Sequence, residues 1–345
     1  MKGRRILLAG AGMAAGIAVV RRSRTRPPVA ALDGEAEAPL RISRLGRRFD
    51  PYPLVASGAP VPPPLPPAEI VAVPSRGEMF VRRTEHPTGV PVLLLHGWMA
   101  SADLNWFRLY GPVSERHPLI APDLRGHGRG IRDPHRFSLE ACADDVAALL
   151  RHLGIGPVVA VGYSMGGPVA TLLWRRHPEL VSGLVLEATG LEWQATWQER
   201  LTWRLMWLVA MLFRWDTGRY LLARASGGAG IEVPEWLHGY RAWLEGEFRR
   251  GDPTDLAEAG RALGRYDARP FAHEIDVPTA VVVTTHDQLV HPRKQYELAA
   301  ATRAKVFEFA GDHTTAVLEQ EAFAEVTLRA IAAVSGEIEA STAAL

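Results

Sequence analysis

Cysteine is almost missing from this chain of 345 residues: Cys142 is the single one, so neither an intramolecular disulfide nor a cysteine metal cluster can form. Its place in LEACADDVAALLRHL (139–153) reads as a small helix residue, not a nucleophile. An excess of one charge is missing too. Thirty-nine Lys and Arg against 38 Asp and Glu leave a formal net charge of +1, which gives no sign of a nucleic-acid partner. A composition 47% hydrophobic and 22% charged excludes a disordered or fibrous protein and suits one or two soluble domains with a sizeable core.

Two further absences decide how the N-terminus is read. The uncharged run from Ile6 to Val20 follows Lys2, Arg4 and Arg5, but no small-residue cleavage site comes after it. Arg21, Arg22, Arg24 and Arg26 stand there instead. As a helix the run reaches roughly 22 Å, short of the ~30 Å hydrocarbon core, and snorkelling arginines at both ends make up the difference. Residues 1–28 are therefore expected to be an uncleaved membrane anchor. The alternative is an export signal, because Arg4-Arg5 before Ile-Leu-Leu loosely resembles a twin-arginine signal. Basic residues on both flanks leave the side of the membrane open. Gly10-Ala-Gly12-Met-Ala-Ala-Gly16 imitates a dinucleotide fingerprint, but its spacing is one residue too long and no acidic residue waits about 20 residues on for a ribose. Residues 29–67 form a linker whose second half, 51–67, holds eight prolines and reads as a stiff, extended spacer.

What is present begins at residue 68. EIVAVP (69–74) and GEMFVRRTE (77–85) read as a pair of strands around a Ser-Arg-Gly turn. The continuous apolar runs VPVLLLHGW (90–98), HPLIAPDL (117–124), PVVAVGYS (157–164), VSGLVLEAT (181–189), PTAVVVTTHD (278–287) and AKVFEFAGDH (304–313) read as strands buried on both faces. Helical patterns separate several of them, with Ser138 as the N-cap of 139–153. This alternation predicts an α/β fold with a mostly parallel, doubly wound sheet, and ligands at the carboxyl ends of its strands.

The chemistry gathers at those ends. Gly162-Tyr-Ser164-Met-Gly166 lies between a strand and a helix (166–178) and matches G-x-S-x-G, a sharp turn that lifts a serine hydroxyl from the sheet edge. Such a serine needs a base, and the base a carboxylate, in the chain order serine, acid, histidine. Asp287 and His313 each end a late apolar run. Asp312 is the competing acid, but its side chain is poorly placed to reach the ring next to it in the chain. His273, His286 and His291 compete with His313 as base, which alone ends a late strand and opens a helix-like segment. The backbone N–H groups of Trp98 and Met165 are assigned to an oxyanion hole. His96 is read as organising its loop. Asp123-Leu-Arg-Gly-His-Gly128 is read as a glycine-rich turn pinned by local polar contacts, rather than as an acid/base group.

With HGW (96–98), DLRGHG (123–128), GYSMG (162–166), the late aspartate and the late histidine in order, the chain resembles the α/β-hydrolase superfamily over about residues 68–335. The resemblance implies a serine esterase or lipase-like enzyme that needs no cofactor or metal, with Ser164 as nucleophile, His313 as base and then acid, and Asp287 as orienting carboxylate. It also implies a core of residues 68–190 and 276–335 with a helical cap of 191–275 inserted. Two departures stand out: Thr284 and Asp312 occupy positions where the family often has glycine. The cap region holds seven of the ten tryptophans. Trp193, Trp197, Leu201, Leu205, Leu208 and Leu212 recur there at helical spacing, and Trp203, Trp207 and Met211 widen the stripe. That stripe either packs onto the main domain, or lines an acyl pocket or dips into a membrane. A hydrophobic carboxylic ester is the expected substrate. The same three residues could instead hydrolyse a carbon–carbon bond, form peracids or transfer acyl groups, and a non-catalytic binding protein is the reading from another class. Residues 336–345 are expected to be a loose tail.

Overall fold

A computed structural model describes residues 62–343, apart from 86–88, 134 and most of 195–249. The expected anchor of 1–28 and nearly all of the proline-rich linker lie outside the described residues. So do Trp207, Leu208, Met211 and Leu212 of the cap stripe.

Each expected strand is present, though most are shorter than their apolar runs: β1 (Ala68–Val73), β2 (Gly77–Thr84), β3 (Val92–Leu95), β4 (Leu119–Pro122), β5 (Val158–Tyr163), β6 (Val181–Glu187), β7 (Thr279–Thr284) and β8 (Lys305–Phe309). They form one eight-stranded sheet in the order β1-β2-β4-β3-β5-β6-β7-β8. β2 pairs antiparallel with β1 and β4, and every other pair is parallel. Every residue of β3, β5 and β7 is buried, as expected of strands covered on both faces.

Helices cover both faces. On one side α1 (Ala102–Trp106), α2 (Tyr110–Ser114) and the long C-terminal helix, introduced below, enclose a cluster with Val92, Leu94, Val161 and Val282. On the other, α3 (Leu139–Leu153), α4 (Gly166–Arg176), α5 (Pro253–Leu263) and α6 (Pro292–Thr302) pack on Leu93, Leu95, Ala160 and Val283. Ser138 caps α3 by accepting the Ala141 N–H at 3.0 Å, and Gly154 closes the helix at φ 65°. α7 (Thr315–Leu318) and α8 (Gln320–Ala343) complete the chain. The expectation of a loose tail from residue 336 is corrected: α8 continues to Ala343, because the tail contains good helix formers and no proline, and Ile338 packs on the core beneath it.

The connections from β3 to β4 and from β5 to β6 leave in opposite directions along the sheet. The carboxyl ends of β3 and β5 therefore flank the crevice where open α/β sheets take their ligands.

The cap stripe divides. Trp193 and Trp203 are buried, whereas Trp197, Leu201 and Leu205 are 64%, 48% and 43% exposed. Residues 201 and 203 lie ~200° apart around a helix, so they cannot both face the core. Trp203 is the one held in, its ring 6.0 Å from that of Trp98 and 5.6 Å from that of Trp193. The reading that the stripe as a whole packs onto the main domain is corrected accordingly.

Candidate active site

Ser164 follows β5 directly, at φ 51°, a left-handed conformation that side chains other than glycine avoid. The turn is possible because its flanks lack side chains. A Cβ at Gly162 would lie 2.3 Å from the Gly166 carbonyl oxygen, and one at Gly166 would lie 2.0 Å from that of Leu95. The Ser164 N–H donates to the Glu187 carbonyl at 2.8 Å, which ties the turn to the end of β6.

The structure brings Ser164, His313 and Asp287 together from the loops after β5, β8 and β7. His313 Nε2 lies 2.9 Å from Ser164 Oγ, and Nδ1 lies 2.8 Å from Asp287 Oδ2. Asp287 is fully buried and accepts throughout: Oδ1 takes the Leu289 and Val290 N–H groups at 2.8 and 2.9 Å, and Oδ2 takes the Thr284 hydroxyl at 2.9 Å. With the carboxylate accepting, the His313 Nδ1–H donates to it and Nε2 turns its lone pair to the serine. Asp312 does not compete, since its exposed side chain accepts the Thr314 N–H and hydroxyl instead. His291 caps α6 by accepting the Arg293 N–H at 3.2 Å.

Three residues around this group were not anticipated. Thr284, standing where the resemblance leads one to expect glycine, donates to Asp287. Gln295 on α6 donates to Thr284 Oγ1 at 2.9 Å and to the Val290 carbonyl at 2.7 Å, which locks the acid loop. The Tyr163 hydroxyl donates to the His313 carbonyl at 2.9 Å. The departure at position 284 was the signal available for Thr284. Nothing in the sequence pointed to the other two.

The loop after β3 faces the serine. Met165 is the N-terminal cap residue of α4, and among the described residues neither its N–H nor that of Trp98 has a protein acceptor. His96 organises this loop: its Nδ1–H donates to the Gly97 carbonyl at 2.8 Å, and its Nε2 accepts the Leu124 N–H at 2.9 Å, bridging the ends of β3 and β4. Burial pushes this imidazole below its ordinary value, against the upward pull of Asp123. The turn of residues 123–128 is pinned by polar contacts, with Arg125 on Asp145 at 2.7 Å and the His127 Nδ1–H on the Arg125 carbonyl at 2.9 Å. Burial drives His127 down to about 3. Glu187 is fully buried behind Ser164, and burial pushes its carboxyl up to about 8. The Thr327 hydroxyl donates to Glu187 Oε1 at 2.7 Å, with the Phe323 carbonyl at 3.1 Å as its other acceptor.

Residues 90–318 match the family model described as alpha/beta hydrolase fold. A pimeloyl-[acyl-carrier protein] methyl ester esterase of Neisseria meningitidis is 31% identical over 215 residues, which is 59% of this chain and 77% of the relative. A non-heme haloperoxidase of Rhodococcus erythropolis is 38% identical over 91 residues, covering 26% of this chain and 33% of that protein. Among solved structures, an enol-lactonase of Burkholderia xenovorans superposes with a TM-score of 0.66 at 23% identity, over 76% of this chain and 99% of the other. A thermophilic esterase of Thermogutta terrifontis superposes with a TM-score of 0.63 at 23% identity, over 78% and 99%.

Proposed function

We propose, since the chain belongs to the α/β hydrolase fold family, that it is a serine hydrolase cleaving a hydrophobic carboxylic ester through an acyl-enzyme intermediate. The observation that carries this reading is the continuous path of hydrogen bonds from Ser164 Oγ through His313 to Asp287, at 2.9 and 2.8 Å. His313 Nε2 takes the serine proton as Oγ adds to the ester carbonyl. The Trp98 and Met165 N–H groups receive the oxyanion, where losing one such donor typically costs on the order of 10²–10³ in rate. The imidazolium is held by Asp287 and gives its proton to the departing alkoxide, which leaves as alcohol. Water, deprotonated by the same nitrogen, then attacks the acyl-enzyme and releases the acid and the free serine. The methyl ester esterase relative supports ester over amide as the substrate bond.

Perhydrolysis is the second reading, on the strength of the haloperoxidase relative. Hydrogen peroxide would replace water in the second step, and the product would be a peracid.

The test is hydrolysis of p-nitrophenyl esters from two to sixteen carbons by the wild type and by Ser164→Ala. The variant is expected to lose on the order of 10⁶ in kcat. Equal rates in the two proteins would remove Ser164 as nucleophile. The chain-length optimum reports the depth of the acyl site.

Membrane association belongs to the same proposal. Its support is the basic-apolar-basic sequence of residues 1–28, together with Trp197, Leu201 and Leu205 exposed at successive turns on the outside of the cap. Among the described residues no helix is long and apolar enough to cross a membrane, so the N-terminal segment would carry the anchoring. The full chain is expected to sediment with phosphatidylglycerol vesicles and a chain starting at residue 29 to sediment far less. Equal sedimentation would dismiss the anchor.

A further inference from the structure

The loop that carries the Trp98 N–H is strained, and the cap holds it. Met99, the next residue, has φ 63° without being glycine, a conformation that persists only where its surroundings impose it. The core supplies two restraints: Asn105 Oδ1 accepts the Gly97 N–H, and Asp123 Oδ1 accepts the Ala102 N–H, both at 2.7 Å. The cap region supplies two more. The Trp98 indole N–H donates to the Leu256 carbonyl of α5 at 2.8 Å, and the Ser101 hydroxyl donates to Glu247 Oε2 at 2.6 Å. Ser101 Oγ also accepts the Leu104 N–H at 3.2 Å, so the cap contact lands on the N-terminus of α1.

Glu247 is 2% exposed and belongs to a cluster of charged groups. Arg129 reaches Asp103, Asp123 and Glu247 at 2.9, 3.1 and 3.2 Å. Arg82 pairs with Asp103 at 2.9 Å and Arg250 with Glu247 at 2.8 Å. Without Glu247 the buried Ser101 hydroxyl loses its acceptor, and Arg129 and Arg250 each lose a carboxylate partner beside the loop.

We infer that Glu247 is a positioning residue for the oxyanion hole: by engaging Ser101 while α5 engages the Trp98 side chain, the cap holds Met99 in its strained conformation and fixes the direction of the Trp98 N–H. This rests on the reading of Ser164 as nucleophile and the Trp98 N–H as oxyanion donor.

The test compares two ligands of equal chain length. An alkyl trifluoromethyl ketone takes up Ser164 Oγ and becomes a tetrahedral oxyanion, whereas the matching methyl ketone stays trigonal and reports ground-state binding. Glu247→Ala, checked for folding by circular dichroism, is expected to weaken the trifluoromethyl ketone at least tenfold and to leave the methyl ketone within twofold. If that variant does not fold, Trp98→Phe, which keeps a ring but loses the indole N–H, must show the same selective loss. Equal weakening of both ketones, or of neither, in the folded variant overturns the inference. The Ser164→Ala control separates the two readings. If Ser164→Ala retains full affinity for the trifluoromethyl ketone, the serine mechanism itself fails. If that affinity is lost in Ser164→Ala while the Glu247→Ala and Trp98→Phe variants bind normally, only the positioning role fails.

Discussion

At Ser164 the backbone is bent to φ 51°, and the two glycines beside it remove the side chains that would collide. Gly166→Ala puts a methyl group against the Leu95 carbonyl, a backbone atom of a buried strand that cannot move aside. The expected result is a loss of at least ~100-fold in esterase rate with a lowered melting temperature, since a displaced turn misplaces the hydroxyl. A variant with wild-type kinetics would show that the turn tolerates a different path. At this scale the serine, the aspartate and the histidine that come into hydrogen-bond contact were legible, because each follows an apolar strand at the same sheet edge. Their supports were not. Gln295 acquires its role only when α6 lies beside the acid loop, and the Tyr163 hydroxyl meets a carbonyl 150 residues further along the chain.

Elements were legible where burial is two-sided. A strand covered on both faces must be apolar throughout, so β3, β5 and β7 stand out as continuous runs. One cap was legible for an equally local reason: Ser138 carries an acceptor three residues before an unsatisfied N–H. Periodicity alone does not say which side of a helix faces in. The stripe through Trp197, Leu201 and Leu205 has the spacing of a packing face, yet Trp203 faces the core and leaves that stripe exposed. A similar limit applies to the last turns of α8, where small and polar residues read as a tail although the helix continues to Ala343, with Ile338 packed on the core.

Across the whole molecule, three buried groups set opposing pH limits. His96 and His127 are held below their ordinary value of 6.5, mainly by burial, His127 at about 3. The unfolded chain takes up these protons below pH 6.5 and the folded chain does not, so stability falls as the pH drops from 6.5 toward the folded values. Glu187 is the reverse case, at about 8 when folded against an ordinary 4.5. Its proton is kept in the fold after the unfolded chain has lost it, so that contribution is complete below 4.5 and disappears as the pH rises through 8. Of these groups, the two histidines weaken the fold on the acid side of 6.5 and Glu187 weakens it on the alkaline side. Melting temperatures between pH 4 and 9 check this, at roughly constant ionic strength. Glu187→Gln is expected to flatten the fall between pH 6.5 and 8. An unchanged alkaline limb in that variant would remove Glu187 from the explanation.

The amino-acid sequence by itself determined the order of strands and helices, the strained serine turn and the residue types able to act as acid and base. Each depends on local sterics and on how many faces of a segment are buried, and both are written in short stretches of chain. Only the tertiary structure decided that Thr284 stands behind the acid, and that Gln295 locks the loop carrying it. It alone decided that Glu247 meets Ser101, a residue 146 positions earlier. Those choices depend on distances of a few ångströms between elements far apart in the chain, which no local pattern encodes.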